Sequence, residues 1–292
     1  MKRLECVTRR TLEVTACSAA IVFQLLLACV LACPVKGQEE YLRIQRGELP
    51  IVISAPHGGT KLVPEVPERK GEGLPTGSSG FFTGRDGGTE ELALEVAKQL
   101  EQRMNGKPWY VISQVHRKYV DFNRPAEIAV EHERTRVIYD AYHSALKEAC
   151  RTVRQTNDFG LLVDIHGQGS SSVTVYRGTK NGLTVTRLRE HFSEEAHSGP
   201  NSFFGLLKNE GWTVFPDPLE GKEQAGFTGG YIVQTYGSHR GNGLEAIQLE
   251  FGSRYRTESA RVRTAEQLVN VIVQWKSLYK AAGTSNKPSA PK

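Results

Sequence analysis

The sequence predicts an α/β fold, a single domain built on a mixed, mostly parallel sheet with helices on both faces. Three observations predict it. Short runs rich in Val, Ile and Leu, such as Ile51-Val52-Ile53 and Leu161-Leu162-Val163, are bounded by Gly or Pro, as buried strands are. Longer segments with apolar residues at helical spacing lie between such runs, so strands and helices alternate along the chain. Two of the runs end in histidine and glycine, at Pro56-His57-Gly58-Gly59 and Asp164-Ile165-His166-Gly167. Open α/β sheets present their ligands beyond the carboxyl ends of the strands, and glycine lets the backbone turn away there.

The first 37 residues read as a signal peptide or membrane anchor. Basic residues up to Arg10 precede an apolar run from Ala16 to Cys33 that is broken only by Ser18 and Gln24. Cleavage before Gln38, lipidation at Cys29 or Cys33, and a retained anchor are all compatible with this segment. Each places the protein outside the cytosol, secreted, periplasmic or at a cell surface, with a possible membrane tether through the N-terminus. The folded domain is then residues 38–282. Residues 283–292, composed of Ser, Asn, Pro, Ala and Lys, form a disordered tail.

Within the domain, Tyr41 to Gln45 reads as a short strand, Gly47 to Pro50 as a turn, and Ile51 to Ile53 as a strand that delivers His57. Residues 61–84 are rich in Pro, Gly, Ser and charge, and form a long surface loop beside His57. Asp86 precedes a helix whose Leu92, Val96, Leu100 and Met104 share a face, and Asn105-Gly106-Lys107-Pro108 stops it. Trp109 to Ile112 is a strand, about Ala129 to Thr156 a helix, and Leu161 to His166 the central strand. Ser171 to Arg177 and Trp212 to Phe215 are strands, Leu183 to Glu195 and Ser202 to Glu210 helices. Gly229 to Tyr236 is strand-like, at an edge. Leu244 to Phe251 is a strand that puts Gln248 and Glu250 on one face by its period of two. The helix Ser259 to Tyr279 closes the domain.

Composition narrows the functional classes. A net charge of +5 with no basic stripe interleaved with aromatics argues against nucleic acid as a partner. Cys6, Cys17, Cys29 and Cys33 fall in or before the apolar segment, so Cys150 stands alone in the domain and an intramolecular disulfide is impossible there. Stability then rests on the core, with or without a metal.

His57, His166 and an acid make a three-ligand zinc site, because imidazole nitrogen and carboxylate oxygen suit Zn2+ and leave a fourth position for water. Asp86 is the third ligand on this reading and Glu90, one turn later, its rival. The plainer alternatives are a strand-end histidine bonded to its neighbours and an acid that caps its helix. Glu250 is the general base, unless it pairs with Arg254 or Arg256. Arg117 is placed to neutralise an oxyanion, and Arg124, beside Asn123 on a turn fixed by Pro125, to hold a substrate carboxylate.

Five segments in this order, Ser54 to Gly59, Arg85-Asp86, Val120 to Arg124, Asp164 to Gly167 and Ile247 to Glu250, resemble the N-formylglutamate amidohydrolase family. That family is similar in fold to zinc carboxypeptidases and to aspartoacylase and succinylglutamate desuccinylase, a phosphorylase/hydrolase-like architecture. The resemblance implies zinc-activated water and hydrolysis of an N-acyl amino acid. It makes His57 and His166 ligands, Asn123 and Arg124 substrate clamps and Glu250 the base. Thr60 stands where the carboxypeptidase motif has a glutamate, so the third ligand is sought downstream. The expected substrate is a small N-acyl amino acid or short peptide; a carboxypeptidase-like peptidase and a non-catalytic carboxylate-binding module are the alternatives.

Overall fold

The structure, a computed structural model, describes residues 38–77 and 79–283. The targeting segment and residues 284–292 of the tail expected from the sequence lie outside the described residues, while Gly283, the tail's expected first residue, ends the last helix. Among the described residues, no helix is long and apolar enough to cross a membrane.

After a helical turn, α1 (Gln38–Tyr41), the chain forms β1 (Leu42–Gln45) and β2 (Ile51–Ala55), then α2 (Thr89–Met104) and β3 (Trp109–Ser113). A short α3 (Ala126–Ala129) and the long α4 (Glu133–Thr156) lead to β4 (Leu161–Gly167) and β5 (Thr174–Gly178). Then come α5 (Thr186–Phe192), α6 (Glu195–Ser198), α7 (Phe203–Asn209), β6 (Thr213–Phe215), α8 (Tyr231–Tyr236), β7 (Glu245–Phe251) and α9 (Arg261–Gly283). The strands make one seven-stranded sheet in the order β1-β3-β2-β4-β7-β5-β6. β3, β2, β4 and β7 run parallel, while β1 is antiparallel to β3 and β5 to β7.

Alternation along the strands explains the two covered faces. Ile51, Ile53, Leu161, Val163 and Ile165 pack with α2, α7 and α9, whereas Val52 and Leu162 point to the other side and pack with α4 and α8. The α4 side is apolar only where the strands begin. Toward their carboxyl ends it carries Ser54 on β2, Asp164 and His166 on β4, and Gln248 and Glu250 on β7, with Asp164 opposite Gln248 and His166 opposite Glu250. That switch from apolar to polar along one face marks the site. The chain also leaves β2 toward β3 on one side and returns to β4 on the other, so the strand order reverses between β2 and β4, and ligands bind at such a crevice.

Three expectations are corrected. The helix expected from Ala129 begins at Glu133, because Val130 is extended and His132 caps the new start by accepting from the Arg134 N–H at 3.2 Å. The helix expected over Leu183 to Glu195 is a 3-10 turn, Leu183–Val185, followed by α5, and it stops at Ser193, which has φ 69°. Gly229 to Tyr236 is not a strand. Its Tyr-Ile-Val run becomes helix α8 because Gln248 and Asn123 accept the N–H groups of Gly230 (2.7 Å) and Ile232 (2.8 Å), a tertiary cap that overrides β-propensity.

The described residues of the loop from 61 to 84 form no helix or strand, yet the loop is anchored. Buried Arg69 donates to the carbonyls of Ile128 (3.1 Å), Phe82 (2.9 Å) and Arg117 (2.8 Å), and Arg124 donates to that of Gly80 at 2.8 Å. Glu131 accepts from the N–H groups of Lys70 and Gly71, both at 2.8 Å.

Candidate functional site

β2 and β4 are neighbours, and the residues just beyond or at their ends, His57 and His166, face each other with ring centroids 4.9 Å apart. Asp86 joins them from the turn before α2. The expected alternative, a helix-capping Asp86, is not what forms: Gly88 is the N-cap, and Thr89 donates its hydroxyl to the Asp86 backbone carbonyl at 2.7 Å. The carboxylate of Asp86 is thereby left to point at the histidines. Its Oδ2 lies 3.4 Å from His57 Nδ1 and 3.3 Å from His166 Nδ1, and all three side chains are buried. Donor atoms of the trio lie within 4.8 Å of one another. Bonds of about 2.0 to 2.1 Å in a tetrahedral site separate neighbouring ligand atoms by about 3.3 Å, so these spacings suit a metal cation.

The far side of each imidazole is held by a buried carboxylate. His57 Nε2 lies 2.7 Å from Asp121 Oδ1, and His166 Nε2 lies 2.9 Å from Asp164 Oδ2. A carboxylate can only accept, so Nε2 carries a proton and Nδ1 is the nitrogen turned toward Asp86, available to a metal once it is deprotonated. His57 Nδ1 is buried without a hydrogen-bond partner, an orphan that a cation would satisfy. Asp121 is itself gripped by Arg117, whose Nε and Nη2 lie 2.8 and 2.7 Å from Oδ2.

The field at the site is strongly negative. Burial disfavours an imidazolium at His166, but Asp164, Asp86 and Glu250 outweigh it and push the ring up to about 10. Burial would raise Asp86, yet His166 and His57 hold it below the usual carboxylate range. At Asp121 burial is likewise overcome, by Arg117 and His57. These carboxylates take up positive charge either as protons on imidazole or as a metal cation. Glu250 behaves differently: burial raises it to about 7, with Asp86 adding to the rise and His166 and Arg117 opposing it. A carboxyl group poised near neutrality beside a trio that could hold a metal is equipped to take a proton and give it back.

Around these groups opens a cavity of about 800 Å³. Arg117, Asn123, Arg124, Gln248 and Glu250 line it together with the trio, so the structure brings these eight residues to one place. Glu90, the rival ligand, is elsewhere: its carboxylate accepts from Gln114 at 3.1 Å and lies 3.6 Å from Arg43. Thr60 is exposed and outside the trio. Glu250 does not pair with Arg256, which donates instead to the carbonyls of Phe251 (3.1 Å) and Gln168 (3.2 Å). Two of the sequence assignments change in detail. Arg117 is committed first to Asp121 and stacks on Phe82, 4.9 Å from the ring centre. Both ends of the Asn123 amide meet protein: Oδ1 accepts from Ile232, and Nδ2 donates to Gln248 Oε1 at 3.3 Å. Gln248 in turn donates to Glu250 Oε1 at 2.8 Å and so orients it.

Asp121, Asp164 and Gln248 acquire their roles only here. The hints in the sequence are the period of two, which places Asp164 with His166 and Gln248 with Glu250 on one face of their strands, and the presence of Asp121 in the Val120 to Arg124 segment. The long loop contributes Gly77, Ser79 and Phe82 to the cavity wall, and the segment 226–231 forms much of the wall opposite.

The fold and site together define an α/β domain of hydrolase-like architecture with a buried His-Asp-His group that could hold a metal. The structure is similar to the crystal structure of an N-formylglutamate amidohydrolase from Ralstonia eutropha JMP134, with a TM-score of 0.52 and 16% identity over 83% of this chain and 99% of that one. At that identity the likeness shows the fold alone. A second match, Cwp6 from Clostridium difficile, has a TM-score of 0.28 and 12% identity over 79% of this chain and 29% of that one, too low to carry an argument. No protein-family model matches the sequence, and neither does any curated protein.

Proposed function

We propose that this chain is a zinc-dependent amidohydrolase that cleaves the amide bond of an N-acyl amino acid. The observation that carries the reading is the buried trio of His57, Asp86 and His166, each histidine backed by its own carboxylate, with Glu250 beside it at a pKa near neutrality. Two nitrogen donors and one carboxylate form the donor set of catalytic zinc sites, and the N-formylglutamate amidohydrolase of similar fold lends the reaction class. Zinc held there would polarise the substrate carbonyl and acidify water.

The remaining steps belong to the chain. Arg124 holds the substrate carboxylate and sets the amide across the cavity. Glu250 takes a proton from the attacking water as its oxygen bonds to the carbonyl carbon, and Arg117, beside Asp86, offsets the charge that develops on the carbonyl oxygen. Glu250 then passes the proton to the departing nitrogen, the C–N bond breaks, and a carboxylic acid and a free amine leave.

Glu250→Gln tests this directly, because it keeps shape and hydrogen bonding but cannot carry the proton. Hydrolysis of N-acyl amino acids should fall by about 10²- to 10⁴-fold while zinc content and ligand affinity stay as in the wild type. A wild type that binds carboxylates and hydrolyses no amide, with the variant behaving identically, would move the assignment to a non-catalytic binding module. Hydrolysis confined to peptides would favour the carboxypeptidase-like alternative.

A further inference from the structure

The cavity extends well past the reacting groups, and its far wall is built at a cost. Lys180 lines it, and its ammonium has no ion-pair or hydrogen-bond partner among the described residues. Its backbone is left-handed (φ 52°), as is that of Asn181 (φ 52°), and Gly182 follows at φ 91°. L residues adopt that conformation only against steric resistance, so two in succession need support from their surroundings.

The support is a carboxylate buried beneath the turn. The Glu223 side chain is wholly buried; it accepts the N–H groups of Thr179 and Asn181, both at 2.9 Å, and the Thr179 hydroxyl. Arg177 Nε donates to the same carboxylate at 3.1 Å, and the Glu223 N–H returns a bond to the Asn181 side chain at 2.9 Å. Lys180 N–H is taken by the carbonyl of Thr228, at 2.6 Å. Such a network fixes where Lys180 stands, and the described part of the fold makes no use of the ammonium so presented.

Strand register places Lys180 relative to the chemistry. Tyr176 is opposite Glu250 and Gly178 opposite Gln248, so the levels of Glu250 and Gln248 differ by two residues, about 7 Å, and Lys180 is two residues further along the chain. An extended substrate rises by nearly the same distance per residue as a strand. Arg124, by contrast, lies among the reacting groups, within the fields of Asp121, Arg117, Glu250 and Asp86.

Resting on the reading of this site as a zinc-dependent amide hydrolase, and favouring its carboxypeptidase-like form, we infer that Lys180 seats an anionic group at the remote end of a long acyl portion, two or more residues in length. Arg124 takes the carboxylate beside the scissile amide, the acyl chain runs along the cavity past Gln248, and a carboxylate or phosphate at its end meets Lys180. The substrate is therefore an acidic peptidyl amino acid rather than a one-carbon acyl derivative.

Three compounds that release the same amino acid, glutamate, test this: N-formylglutamate, succinyl-Ala-Ala-Glu and acetyl-Ala-Ala-Glu. The succinyl compound should be the best substrate. Lys180→Met should lower its kcat/KM by about 10- to 100-fold, the scale of one charge-assisted hydrogen bond, and leave the other two within about two-fold. Lys180→Arg should restore most of the loss. A phosphoryl cap in place of succinyl, if preferred, would name phosphate as the anion. Equal effects of Lys180→Met on all three compounds, or none on any, would overturn the inference. If the wild type hydrolyses none of them, the amidohydrolase reading fails separately, and calorimetric titration of the succinyl compound into wild type and Lys180→Met still decides the seat: equal affinities would overturn it.

Discussion

At the scale of single residues, the site depends on carboxylates that touch no substrate. Asp164 and Asp121 are both fully buried, and each fixes one imidazole by accepting a hydrogen bond from its Nε2–H. An isolated buried carboxylate would cost several kcal/mol, and here that cost is offset only because each faces a histidine, with Arg117 also on Asp121. Replacing either by Asn keeps the shape but weakens the hold on the ring and lowers the basicity of Nδ1. Metal affinity should therefore fall by about 10- to 100-fold in Asp164→Asn and in Asp121→Asn, measured by competition with a chromogenic chelator. Unchanged affinity in both would show that the histidines are oriented by packing alone. Neither acid announces itself in the sequence as more than a neighbour of a motif, because its function depends on which ring the fold sets beside it. The trio itself was easier to read: a histidine at the end of an apolar run has few places to be except the mouth of the sheet.

At the scale of elements, the ends of β2 and β3 fix the position of His57. Gly59 lies against the backbone of Gln114 and Val115: a Cβ there would meet Gln114 C at 2.1 Å, Gln114 O at 2.4 Å and Val115 N at 2.5 Å. Backbone cannot move aside as a side chain can, so Gly59→Ala should push the two strand ends apart. The expected loss is about 1 to 3 kcal/mol in urea unfolding, with weaker metal binding as His57 shifts. Gly169, just after β4, is the control: nothing lies within 4 Å of a Cβ there, and Gly169→Ala should stay within about 0.5 kcal/mol. Equal stability of the two variants would mean that the β2–β3 contact is not tight. The strands and long helices of this layer were legible because their period is set by burial, which the residues of each segment encode locally. Helix α8 was not, since its cap comes from Asn123 and Gln248, distant in sequence, and the turn at Lys180 was not, since its support is Glu223.

At the scale of the whole molecule, the trio that could hold a metal gathers segments separated by more than a hundred residues. His57 follows β2, Asp86 precedes α2 and His166 ends β4, while Asp121, which orients His57, sits in the connection after β3. Among the described residues no disulfide supports this arrangement, since Cys150 is a free thiol, buried and pushed up in pKa by that burial. The sheet and its two cores hold the fold, but they also hold four acids, Asp86, Asp121, Asp164 and Glu250, and two imidazoles in a buried space, where their mutual fields must be balanced. Without a cation bound there, the positive charge facing these acids comes from protons on imidazole and from Arg117, Arg124 and Arg256. A cation bound by the folded state alone stabilises it by RT ln(1 + [L]/Kd), about 2.7 kcal/mol at a hundredfold excess over Kd. For a domain of this size that corresponds to a rise in Tm of roughly 5 to 10 °C. Calorimetry of protein stripped by a chelator, then of the same protein returned to zinc, should show that rise, and His166→Ala should abolish it. A Tm indifferent to zinc in the wild type would mean that the trio is an ordinary buried polar cluster, and the hydrolytic reading built on it would fall.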